Sequence, residues 1–103
     1  MIEPAGARLH LEAVVRGRVH GVGFRIHAAR TAERRGIDGW VANEAGGTVR
    51  AVGEGPEVEL RAWLGELRVG PPGARVNRVD EQWSAATNAF DGFSIRSGWH
   101  AGD

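Results

Sequence analysis

The chain has 103 residues, enough for one domain that buries roughly two-thirds of the surface its unfolded form exposes, and too few for a second. Its 13 basic residues balance 13 acidic ones, which excludes the broad positive field that nonspecific nucleic-acid or anionic-membrane binding needs. No residue is a cysteine and every basic residue is an arginine, so disulfides, thiolate chemistry and lysine Schiff bases are excluded and the fold must rest on packing.

Residues 1–8 lack the apolar stretch of a signal peptide, and no later run approaches membrane-spanning length. They are expected to form a flexible lead-in, and the chain is expected to be cytoplasmic. From Leu9 to Val15, the alternation of Leu9, Leu11, Ala13 and Val15 predicts a half-buried strand. A glycine-rich loop follows, and then Phe24 to Arg35 places Phe24, Ala28 and Ala32 on one helical stripe, with Gly36 as the stop. Ile37 to Asn43 and Thr48 to Val52 read as a hairpin turning through Glu44, Ala45, Gly46 and Gly47. Glu54, Gly55 and Pro56 are expected to break the chain, with Pro56 in the first turn of a second helix whose Leu60, Trp63, Leu64 and Leu67 form an i, i+3, i+4, i+7 stripe. Gly70, Pro71, Pro72 and Gly73 end that helix; Arg75 to Trp83 predicts a fourth strand, and Phe93 with Ile95 a short last one. Residues 84–92 fit no pattern, and 97–103 read as a flexible tail. The order β, α, β, β, α, β predicts an α+β, ferredoxin-like two-layer sandwich over residues 9–96, an antiparallel sheet with both helices on one face.

The most informative segment is Gly17, Arg18, Val19, His20, Gly21, Val22, Gly23, Phe24 and Arg25, a glycine-spaced loop ending in an arginine where a helix begins. Glycines let backbone N–H groups turn toward an anion, a helix start adds unpaired N–H groups and its positive dipole end, and an arginine completes the grip. A dinucleotide fingerprint would need glycine in place of Ile26, and a nucleotide-triphosphate loop would need lysine followed by serine or threonine. Neither is present.

That loop, followed by Gly39-Trp40-Val41-Ala42-Asn43, closely resembles the acylphosphatase family. Gly47-Thr48-Val49, Glu54-Gly55-Pro56, Gly70-Pro71-Pro72-Gly73-Ala74-Arg75-Val76 and Phe93-Ser94-Ile95-Arg96 follow in the family's order and spacing, so the resemblance covers roughly residues 9–96. It implies hydrolysis of acyl phosphates to a carboxylate and inorganic phosphate, with no cofactor, no metal and no covalent intermediate. By position, Arg25 corresponds to the family's phosphate-binding arginine and Asn43 to its catalytic asparagine, which places the attacking water. The phosphate is expected on Arg18, Val19, His20, Gly21, Val22, Gly23, Phe24 and Arg25, largely through backbone N–H groups. The chemistry of these residue types agrees: a guanidinium fork holds two phosphoryl oxygens, an amide accepts from and donates to a water, and a carboxylate leaving group departs without a general acid.

His20 stands where the family often has glutamine and reads as support for the loop. His10, His27 and His100 have no metal-ligand spacing and read as surface or packing residues. Trp40, Trp63 and Phe93 read as core. Ser97 replaces the tyrosine with which the family often ends, which leaves any role of that end open. An RNA-recognition motif shares the element order, but Thr48-Val49-Arg50-Ala51-Val52 lacks its stacking aromatics. No nucleic-acid or membrane partner is expected, and the chain is expected to be a monomer acting on a small molecule. The alternative within the same fold is a noncatalytic module that binds an anion such as carbamoyl phosphate.

Overall fold

The alternation of the first strand buries Leu11, Ala13 and Val15 completely on one side, and this row sets the architecture. In a computed structural model, which describes residues 7–97, the row belongs to β1 (Arg8–Arg18). It is followed by α1 (Phe24–Arg34), β2 (Asp38–Asn43), β3 (Val49–Pro56), α2 (Glu57–Val69), β4 (Arg75–Ala85) and β5 (Phe93–Arg96). The strands form one sheet in the order β4-β1-β3-β2-β5.

Both helices cover the same face. The β1 row, with Val41 of β2 and Val49 and Ala51 of β3, packs against Phe24, Ala28 and Ala32 of α1 and Leu60, Trp63, Leu64 and Leu67 of α2. Alanines on α1 let that helix sit close, and the indole N–H of Trp63 donates to the Ala28 carbonyl oxygen at 3.1 Å, which joins the two helices. Full burial of a leucine is worth about 1.5–3 kcal/mol. The apolar stripe therefore holds α2 in place even with Gly65 in its interior. This is the expected ferredoxin-like sandwich.

Three expectations are corrected. The sheet is mixed, because β5 pairs with β2 in parallel, Gly39 opposite Phe93 and Ala42 opposite Arg96. The direction follows from topology: β4 and β3 both run antiparallel to β1, and residues 86–92 turn the chain back, so β5 runs against β4 and alongside β2. Second, Glu54, Gly55 and Pro56 do not interrupt the chain; they are the last residues of β3, paired with His10, Leu9 and Arg8, and Pro56 caps α2 rather than entering it. Third, Arg8 belongs to β1 and pairs with Asp38 at 3.0 Å. The rest of the predicted lead-in, residues 1–6, and the tail from 98 on lie outside the described residues, apart from Ala7 and Ser97 at their margins.

Glu54 explains why residues 86–92 have a defined course without a sequence pattern. It is completely buried on the face away from the helices and accepts from His10 Nδ1 at 2.6 Å, from the Thr87 N–H and hydroxyl at 2.8 Å each, and from the Asn88 N–H at 2.8 Å. Burial pushes the Glu54 carboxyl up, but the bonds from His10, Thr87 and Asn88 outweigh it and hold it down at about 2. An ionised carboxylate only accepts, so His10 carries its proton on Nδ1 in this contact. Farther along, the Gly92 N–H donates to Asp38 Oδ1 at 3.1 Å and delivers the chain to β5.

Candidate active site

The glycine-spaced segment leaves β1 at Arg18 and enters α1 at Phe24, and its shape is set by Gly21 at φ 73° and Gly23 at φ 77°. Both are left-handed conformations that disfavour a Cβ, although nothing lies within 4 Å of where one would stand. The glycines are therefore required by backbone conformation and not by crowding. Gly23 is also the cap of α1, where no side chain bonds the helix end and no acidic residue stands in the first turn. The first α-helical bond runs from the His27 N–H to the Gly23 carbonyl oxygen at 3.1 Å. Amides before His27 thus have no intrahelical acceptor, and the positive end of α1 carries no side-chain anion.

At this helix start lies a cavity of about 110 Å³ lined by Val19, Gly21, Gly23, Phe24, Arg25, Ile26 and Asn43. Arg25 and Asn43 therefore share one concavity, the first from the opening turn of α1 and the second from the last position of β2. Asn43 is only 5% exposed, so its amide is held by its surroundings rather than left to rotate in solvent. Arg25 Nη1 donates to the carbonyl oxygen of Arg96 at 3.4 Å, which ties the guanidinium to the end of β5. That strand is itself fixed, since the Arg96 guanidinium lies over the Trp40 ring at 4.4 Å.

The other loop residues have different places. Arg18 is exposed and is the last residue of β1, opposite Arg75 of β4. Val22 packs against the core. His20 Nε2 lies 2.8 Å from the Thr48 carbonyl oxygen, an acceptor, so Nε2 donates. The same oxygen accepts the Glu44 N–H at 2.9 Å, and this bond closes the turn that follows Asn43. Neither Arg18, His20 nor Val22 lines the cavity.

Two contributors had no local sequence signal. The Arg96 carbonyl acts through its backbone, and any residue type there could supply it. Glu44, read only as a turn residue, accepts from Arg50 Nε at 2.7 Å and from the Thr48 hydroxyl at 3.3 Å, stiffening the hairpin behind Asn43. Its partner Arg50 also pairs with Glu12, and these carboxylates, Glu44 foremost, raise the Arg50 guanidinium above its ordinary value. Among the described residues, no group of three or more histidine, aspartate or glutamate side chains is arranged to hold a metal. No helix there is long and apolar enough to cross a membrane.

The sequence and the fold are similar to those of known proteins. The family model named Acylphosphatase matches residues 11–95. The acylphosphatase of Salinibacter ruber is 44% identical over 91 residues, covering 88% of this chain and 96% of that one. That of Thermococcus kodakarensis is 43% identical over 88 residues, covering 85% and 93%. A crystal structure of acylphosphatase from Bacillus subtilis superimposes with a TM-score of 0.83 at 34% identity, covering 85% of this chain and 98% of that one. With the matched region spanning β1 to β5 and the loop, Arg25 and Asn43 all inside it, the chain belongs to the acylphosphatase family.

Proposed function

We propose that the chain hydrolyses acyl phosphates, R–CO–O–PO₃²⁻, to a carboxylate and inorganic phosphate, with no metal and no covalent intermediate. The observation that carries this reading is the meeting of Arg25 and Asn43 on one cavity at the open N-terminus of α1. The phosphoryl group sits on the loop, held by backbone N–H groups between Arg18 and Arg25 and by the Arg25 guanidinium. Those donors are fixed before the reaction, so they oppose the charge that gathers on the phosphoryl oxygens as the P–O bond loosens without having to reorganise.

Asn43 accepts a hydrogen bond from a water through its amide oxygen and places that water in line with phosphorus. An amide is too weak a base to deprotonate water outright. In a loose transition state little deprotonation precedes bond breaking, so placement suffices and the proton goes to the phosphoryl oxygens or to solvent. The bond from phosphorus to the carboxylate oxygen breaks, and a bond from phosphorus to the water oxygen forms. The carboxylate leaves with the electron pair of the broken bond and needs no proton. His20 positions the loop and takes no part in proton transfer. The chain acts on a small molecule as a monomer, and its balanced charge offers no broad positive field for a nucleic acid or an anionic membrane.

The test is release of inorganic phosphate from benzoyl phosphate by the purified chain with a chelator present. Release that the chelator leaves intact supports hydrolysis without metal. Phosphate binding with no release would overturn it in favour of a noncatalytic anion-binding module.

A further inference from the structure

Beside the loop cavity, α1 presents a second basic surface. His27, Arg30 and Arg34 follow one another at i, i+3 and i+7 along one side of the helix, and with the Pro71–Pro72 turn they border a groove of about 460 Å³. Gly23 and Ile26 line this groove and also line the cavity of Arg25 and Asn43, so the two concavities share a rim. No aspartate or glutamate lines it.

The charges of the groove are available. Among the described residues, Arg30 has no ion-pair partner, and it is exposed. Arg34, its side chain 68% exposed, comes no nearer than 3.9 Å to Glu66, whose other carboxylate oxygen already accepts from Arg35 Nε at 2.8 Å. In a chain whose formal charge is zero, two arginines facing a hollow with no lining carboxylate are a local excess of positive charge.

Helical geometry places Arg30 about 7.5 Å and Arg34 about 13.5 Å along the axis from Arg25 and turned about 140° and 180° around it, so the path between them runs over the rim at Gly23 and Ile26. A phosphoryl group held at Arg25 with its acyl group crossing the rim at Gly23 and Ile26 would carry the far end of a medium-sized acyl group toward Arg30 and Arg34. We propose that this groove is an acyl-group subsite that selects acyl phosphates bearing a second carboxylate at the far end of the acyl group, with Arg30 and Arg34 pairing with that carboxylate. The inference rests on the hydrolytic reading above and adds to it a substrate class. Arginine suits the task because its planar fork matches a carboxylate and keeps its charge.

The test compares kcat/KM for para-carboxybenzoyl phosphate with that for para-methylbenzoyl phosphate, of similar size but uncharged at that end. It uses the full chain, Arg30→Ala/Arg34→Ala and Arg30→Lys/Arg34→Lys. The ratio between the two substrates, compared across variants, cancels their different intrinsic reactivities. The subsite predicts that the alanine variant loses about tenfold on the carboxylated substrate and changes by less than about twofold on the methylated one, while the lysine variant keeps most of the selectivity. Hydrolysis of both substrates at a ratio that the alanine variant leaves unchanged would overturn the subsite alone. Hydrolysis of neither would overturn the hydrolytic reading and the subsite with it.

Discussion

His20 donates from Nε2 to the carbonyl oxygen of Thr48 at 2.8 Å, and this one bond ties the glycine loop to the hairpin behind Asn43. Arg25 and Asn43 sit on separate elements, so their separation depends on how firmly loop and hairpin are joined. Small errors of placement are costly in a reaction that relies on positioning. His20→Ala is expected to lower kcat/KM for benzoyl phosphate by about tenfold, with the larger part in kcat. His20→Gln, which restores a donor on a side chain of similar reach, is expected to stay within about threefold of the parent. Steady-state kinetics on both variants checks this.

Gly23 at φ 77° has open space around its missing Cβ, so Gly23→Ala isolates the cost of backbone conformation. A left-handed residue with a Cβ costs about 1–2 kcal/mol. In a domain of this size each kcal/mol lowers Tm by about 4–8 °C. The variant is expected to melt several degrees lower and to bind inorganic phosphate about tenfold more weakly, because the same φ aims the N–H groups of the loop. Calorimetry and phosphate titration read the two effects separately.

Glu54 supplies the pH dependence. Its folded-state pKa of about 2 lies below the ordinary 4.5, so folding favours the carboxylate. The stability this contributes is fully present above pH 4.5 and is lost as pH falls from there through about 2. Glu54→Gln is expected to cost about 2 kcal/mol at neutral pH, since an amide sets its own donors against those of His10, Thr87 and Asn88. The variant should also lose the part of the acid-induced slope between pH 4.5 and 2 that Glu54 supplies, which denaturant titrations at several pH values would measure.

The helices could be read because Leu60, Trp63, Leu64 and Leu67 repeat with the helical period, and the loop because its glycines and Arg25 are local in the chain. Glu54 was misread as part of a breaker because its meaning lies in Thr87 and Asn88, 33 and 34 residues away in a stretch without periodicity. A carboxylate in a strand next to glycine and proline looks like a turn until its donors are known. The parallel placement of β5 was hidden for the same reason, since four residues with Phe93 and Ile95 carry no information on direction. Within the site, the family resemblance singled out Arg25 and Asn43, which the fold brings to one cavity, although Asn43 by itself reads as a turn residue. Their fastening was not, because the Thr48 and Arg96 acceptors are backbone carbonyls that no side chain announces.

If Arg25 holds the phosphate while Asn43 places the water, affinity and turnover must separate in their variants. Inorganic phosphate binding and benzoyl phosphate hydrolysis would be measured on the parent, Arg25→Ala and Asn43→Ala with chelator present. Arg25→Ala is expected to lose both, whereas Asn43→Ala is expected to bind phosphate within about twofold of the parent and to lose about 10²-fold or more in kcat. Unchanged turnover in Asn43→Ala, or loss of its phosphate affinity in step with turnover, would contradict it.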